Sequence, residues 1–93
     1  MHEEALLRDL RRKVRELAPA GGTVRIVRVR LWVGALAHVT PGSIRRRWPE
    51  VVADTSAAEC LLEIDLSTDP SDPAAQGVRL VEMTADDGPG GVG

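Results

Sequence analysis

Apolar residues recur at helical spacing through the first part of the chain. Leu6, Leu7, Leu10, Val14 and Leu17 form one stripe, which predicts a helix over residues 3–18. Glu3 and Glu4 fall in its first turn, where the helix dipole favours negative charge. Pro19 and Gly21-Gly22 end it. The period then shortens. Val27, Val29, Leu31 and Val33 alternate with Arg28, Arg30 and Trp32, which predicts a strand over 23–33 with one buried face and one face of arginine stems. Val24 and Ile26 sit on the opposite phase, so a bulge, or a segment covered on both faces, is expected there. After a connection over 34–39, Thr40-Pro41 has the chemistry of a helix start, with Thr40 as N-cap and Pro41 at the first helical position. This second helix is expected to reach about Ala53 with Ile44, Trp48, Val51 and Val52 inward, and Pro49 should bend or split it.

Cys60, Leu62, Ile64 and Leu66 alternate with Glu59, Glu63 and Asp65, which predicts a half-buried strand over 59–66. Residues 67–77 hold Pro70 and Pro73 among Ser, Thr, Asp and Gly and read as a loop. Val78 to Met83 reads as a last strand. The polar, glycine-rich residues 84–93 are expected to be a disordered tail. The order α-β-α-β-β therefore predicts an α+β fold, one domain over residues 1–83, with two helices packed on one face of a three-stranded sheet. So small a sheet has open edges, through which a homodimer could form.

Composition changes this picture little. A chain of 93 residues is one domain. The formal net charge of −2 argues against a nucleic-acid partner, although arginines cluster at 8–15, 25–30 and 45–47 and acidic residues dominate from Glu59 onward. No apolar run approaches the roughly 20 residues of a membrane span, and the acidic N-terminus does not resemble a signal peptide. The one cysteine, Cys60, cannot form an intrachain disulfide, which fits a reducing compartment. A cytoplasmic protein without a membrane partner is the expectation.

The usual catalytic sets are missing from the sequence. There is no P-loop, no G-x-G-x-x-G, no G-x-S-x-G and no H-E-x-x-H. Cys60 alternates with core residues and reads as a small buried hydrophobe, and His38 reads as a surface histidine of a connection, so no enzyme is expected. His2 stands apart because of its position. A free α-amino group titrates near pH 8 and readily becomes a nitrogen ligand. The His2 imidazole lies one residue away, with the backbone nitrogens of His2 and Glu3 between and beside them. Such a nitrogen-rich chelate suits Ni(II) or Cu(II), which can also displace amide protons. Met1 should survive processing because His2 is bulky.

The chain resembles the HypA/HybF family of hydrogenase nickel-incorporation proteins, nickel metallochaperones whose sequences typically open M-H-E. Met1-His2-Glu3 matches that opening and precedes an amphipathic helix. Val27 to Leu36 is similar to the family's V-x-x-V-x-L-x-x-G-x-L stretch, and Val39-Thr40-Pro41 matches a V-x-P leading into its second helix. The resemblance covers roughly residues 1–66 and, more loosely, 78–83. It implies two helices against a three-stranded sheet, nickel held by Met1, His2 and Glu3, and a hydrogenase precursor or a nickel-insertion GTPase as partner. The chain departs from the family in one large respect. Members carry a zinc domain with two C-x-x-C pairs between the last two strands, whereas this sequence has no C-x-x-C and only residues 67–77 at that point. A structural zinc site needs four ligands, so no zinc is expected, and the resemblance bears on nickel ligation more directly than on delivery. A retained scaffold that binds a protein through the arginine-bearing strand or a sheet edge, without metal transfer, is the alternative.

Overall fold

The computed structural model describes residues 2–21 and 24–86, with side chains from Glu4 onward. Its elements are α1 (His2–Leu17), β1 (Arg25–Val33), α2 (Pro41–Val52), β2 (Leu61–Leu66) and β3 (Val78–Asp86), in the expected order. β1 is the central strand. It pairs in parallel with β2 and antiparallel with β3, giving a mixed sheet of order β2-β1-β3.

One apolar face of the sheet packs under both helices. Val29, Leu31 and Val33 of β1, Val14 of α1 and Ile44 of α2 are fully enclosed in a single core cluster, with Leu7, Leu10, Trp48, Val51 and Val52 around them. Each fully buried aliphatic side chain of this kind contributes about 1.5–3 kcal/mol relative to exposure. The α1 stripe is rotated slightly from the expected one. Leu17 is 57% exposed, and Ala18, whose amide donates to the Val14 carbonyl at 2.7 Å, closes the stripe instead.

The phase change in β1 is a bulge. Ile26 pairs with Ala85 and Arg28 with Thr84, so Val27 is the extra residue, and the buried set changes phase from Ile26 to Val29. A second irregularity falls between Arg30 and Leu31, where their partners Glu82 and Leu80 skip Val81.

α2 starts as its sequence requires. Thr40 is extended (φ −103°, ψ 157°), and its Oγ1 accepts a hydrogen bond from the Ser43 amide at 3.1 Å. Pro49 does not split the helix, which runs continuously to Val52. The ring removes one donor but leaves the rest of the ladder intact, while Trp48, Val51 and Val52 pack beside it.

β2 begins two residues later than its alternation suggests. A turn intervenes, in which Asp54 adopts φ 63°, Thr55 Oγ1 donates to the Val52 carbonyl at 2.7 Å, and the Cys60 amide donates to Ala57 at 3.0 Å. Cys60 is therefore a half-buried turn residue rather than a strand residue. Burial along β2 is also thinner than the pattern implies: Leu62 is buried, but Leu66 is 57% exposed, because β2 is an edge strand. β3 outruns its expected end by three residues, Thr84 to Asp86, which pair with the start of β1. The rest of the expected tail, residues 87–93, lies outside the described residues.

Residues 67–77 must carry the chain from β2 across the end of β1 to β3. They do so as a braced loop. The Ser67 amide donates to Val33, the Gly34 amide to Gly77 at 2.9 Å and the Leu36 amide to Ala75 at 2.8 Å. Within the loop, Asp69 and Asp72 side chains accept from the amides of Ser71 and Ala74. Ala75 is buried, and a Cβ built on Gly34 would stand 2.1 Å from its carbonyl oxygen. Only glycine fits where the loop crosses.

Candidate metal site at the start of the first helix

Of the three residues singled out as nickel ligands, Met1 lies outside the described residues, and so do the side chains of His2 and Glu3. What the fold does describe is the backbone they stand on. α1 begins at His2. The first four amide N–H groups of a helix have no acceptor within it, so the His2 and Glu3 amides lie outside the helical ladder. A metal that displaces their protons breaks no helical hydrogen bond.

The first turn is held in place from α2. The Arg47 guanidinium donates to both Glu4 carboxylate oxygens, at 2.8 and 3.1 Å, while its Nε donates to Glu50 at 3.1 Å. That hydrogen bond, with the charge behind it, holds the Glu4 carboxyl below the usual glutamate range. Two helical turns further along α1, Arg11 donates to the Glu50 backbone carbonyl. These groups border a cleft of about 390 Å³ between the helices, with Leu7 and Val51 also lining it. The spacing of Arg47 and Glu50 along one helix is visible in the sequence; their joint contact with Glu4, 43 positions from Arg47, is not.

On the other side of α1, Ala5, Leu6 and Asp9 line a groove of about 290 Å³ together with His38 and Gln76. His38 is exposed but well placed. The residue after it, Val39, is buried, and Thr40 caps α2. The turn before it is closed by a bond from the Ala37 amide to Gly34 at 3.1 Å. Among the described residues, no group of three or more His, Cys, Asp or Glu side chains is gathered for a metal.

The arginine-bearing face of β1 is engaged within the sheet. Arg30 reaches Asp65 at 3.2 Å, Glu63 at 3.8 Å and Glu82 at 3.7 Å, and Arg28 reaches Glu63 at 3.3 Å. Arg79 lies over the Trp32 ring at 5.9 Å. These are cross-strand pairs of the open sheet face. The Cys60 thiol is pushed up from its ordinary pKa by burial, with the Trp48 indole acting in the opposite direction. A raised thiol pKa is the reverse of nucleophilic activation. The Trp48 Nε1 is buried and meets no partner in hydrogen-bond geometry, so its effect on the thiol is one of proximity. Among the described residues, no helix is long and apolar enough to cross a membrane.

Comparison with known proteins adds a family. Searches among curated proteins and among solved structures returned no match. The family described as hydrogenase/urease nickel incorporation, metallochaperone, hypA matches residues 1–69. That span includes the opening tripeptide, both helices, β1 and β2, and it ends within the first residues of the braced loop. With most of its length matched in this way, the chain belongs to the HypA family of nickel-incorporation metallochaperones.

Proposed function

We propose that this protein binds Ni(II) as cargo at its N-terminus, through the Met1 amine, the His2 imidazole and backbone nitrogens of His2 and Glu3, and passes it to a maturing nickel enzyme. What supports this reading is that α1 begins at His2. The backbone nitrogens required as ligands are those that the helix leaves without acceptors. Deprotonated amides would also bring negative charge to a helix end whose dipole otherwise disfavours a cation. Anchorage of Glu4 by Arg47 limits fraying of the turn that carries the ligands.

The family's hydrogenase and urease connection makes an enzyme precursor, or a GTPase that drives insertion, the recipient in this reading. No catalytic role is assigned to the chain. The proposed ligands all lie within the first three residues, so none of them comes from residues 67–77.

The test is a calorimetric titration of Ni(II) into protein with an authentic Met1. One ion per chain is expected, with affinity falling at least about tenfold in His2→Ala or when residues are added ahead of Met1; a lost ligand should cost no less than a lost orienting partner. Unchanged affinity in both variants overturns the proposal.

A further inference from the structure

The two edges of the sheet are not alike. On β2, Arg45 of α2 donates to the Leu62 carbonyl at 3.0 Å, so a helix side chain already engages that edge. β3 is the other edge, and from Val78 to Ala85 its outer backbone groups meet no partner among the described residues. An edge of this kind is a template for one more strand. β3 is also bulged. Its register skips Val81 between Leu80 and Glu82, which interrupts the edge and leaves Val78 to Leu80 as a short regular stretch.

A groove of about 450 Å³ runs beside that stretch, between α1 and β3. Leu6 and Leu10 of α1 and Val78 and Leu80 of β3 give it an apolar floor continuous with the core. A strand added along β3 sends alternate side chains toward the helix layer, which is where this floor lies. The rim is cationic. Arg12, Lys13 and Arg79 stand there against one carboxylate, Asp9. Asp9 lies 3.7 Å from Arg12, and Arg79 rests over the Trp32 ring. Lys13 has no carboxylate partner among the described residues. The groove therefore offers backbone pairing, an apolar seat and unbalanced positive charge at one place.

We infer that the groove between α1 and β3 docks a short extended segment of a partner protein, one that carries an aliphatic side chain flanked by acidic residues. The segment pairs with Val78 to Leu80 as a fourth strand, seats its aliphatic side chain on Leu6 and Leu10, and sets its carboxylates against Arg12 and Lys13. Charge argues against a second copy of this chain as the occupant. Two copies joined along β3 would place both α1 helices at one seam and bring their Arg12 and Lys13 side chains together, and the bulge at Val81 would break the pairing. The inference uses no residue of the proposed nickel site and stands or falls apart from it.

The experiment uses the full chain and a fluorescently labelled hexapeptide of alternating glutamate and valine, capped at both ends. Anisotropy reads its affinity, and hydrogen exchange followed by NMR reads which amides it protects. Saturable binding is expected in the wild type, with slower exchange in β3 between Val78 and Leu80. Arg12 and Lys13 are exposed, so Arg12→Glu/Lys13→Glu should fold and should bind at least about tenfold more weakly. Raised salt should weaken binding to the wild type. Peptides of alternating lysine and valine, or of glutamate and serine, should also bind at least about tenfold more weakly. Absence of binding at millimolar peptide overturns the inference, as does equal binding of the lysine peptide or protection confined to β2. A dimer seen by sedimentation that protects the same β3 amides and excludes the peptide assigns the edge to a second copy and overturns it too.

Discussion

The crossing of the braced loop over Gly34 makes a quantitative prediction. In Gly34→Ala the added Cβ would lie 2.1 Å from the Ala75 oxygen, 2.4 Å from its carbonyl carbon and 2.8 Å from its Cα. All three are backbone atoms, so no side-chain rotation relieves the contact, and the loop must move by more than an ångström. That movement breaks the two bonds that hold it, Gly34 amide to Gly77 and Leu36 amide to Ala75, at 2.9 and 2.8 Å. Overpacking of this kind costs about 1–3 kcal/mol, and each lost hydrogen bond about 0.5–1.5 kcal/mol. Together they predict a destabilisation of roughly 2–6 kcal/mol, a large share of the stability of a domain this size, for which about 0.05–0.15 kcal/mol per residue is usual. Urea denaturation followed by circular dichroism should show the midpoint falling by roughly 2 M, given a slope near 1–3 kcal/mol/M. Hydrogen exchange at the Gly34 and Leu36 amides should accelerate in step. Gly42→Ala is the control. Its Cβ would find nothing nearer than the Thr40 Oγ1 at 4.0 Å, and it lies within α2, so it should stabilise by about 0.5–1 kcal/mol. A Gly34→Ala protein within about 0.5 kcal/mol of wild type, the ordinary range of surface substitutions, would refute the claim that the loop presses on β1's end.

Two further outcomes follow from the packing and the clamp. Ile44 is completely buried where α2 meets β1, so Ile44→Ala should lose about 2–5 kcal/mol in the same urea assay, and a loss under 1 kcal/mol would mean the helix does not seat there. NMR titration should place the Glu4 carboxyl pKa below the ordinary glutamate value in the wild type and return it toward that value in Arg47→Gln. Because the folded-state value is depressed, the ion pair's contribution to stability is present above the unfolded pKa and is lost as pH falls through the folded one. Arg47→Gln should therefore flatten the acid limb of stability against pH and leave neutral behaviour nearly unchanged, since exposed ion pairs are worth little.

Local patterns in the sequence were enough for the identity and order of the elements. The α1 stripe, the alternation along β1 and the Thr40-Pro41 cap each depend on neighbours within a few residues, and short-range sterics and hydrogen bonding decide them in the same way in any fold. The break of phase at Val27 also showed, because a bulge leaves its mark in the order of buried residues. Element ends were less legible. The start of β2 was moved by a turn whose bonds run from Cys60 to Ala57, and the end of β3 by pairing with Arg25 and Ile26, sixty positions away.

Met1-His2-Glu3 could be proposed as a ligand set from the sequence alone, since adjacency along the chain is what would make it a chelate. Tertiary structure decided what surrounds it. β1 is central only because β2 and β3 pair on either side of it, and the loop that joins them must then cross its end, which is why Gly34 has no side chain and Ala75 is buried. The same crossing brings Gln76 beside His38 and α1. Arg47 and Glu4 meet because two helices share one sheet face. Contacts of this range are set by how layers stack around a common core, and a periodicity read within one element carries no information about the element packed against it.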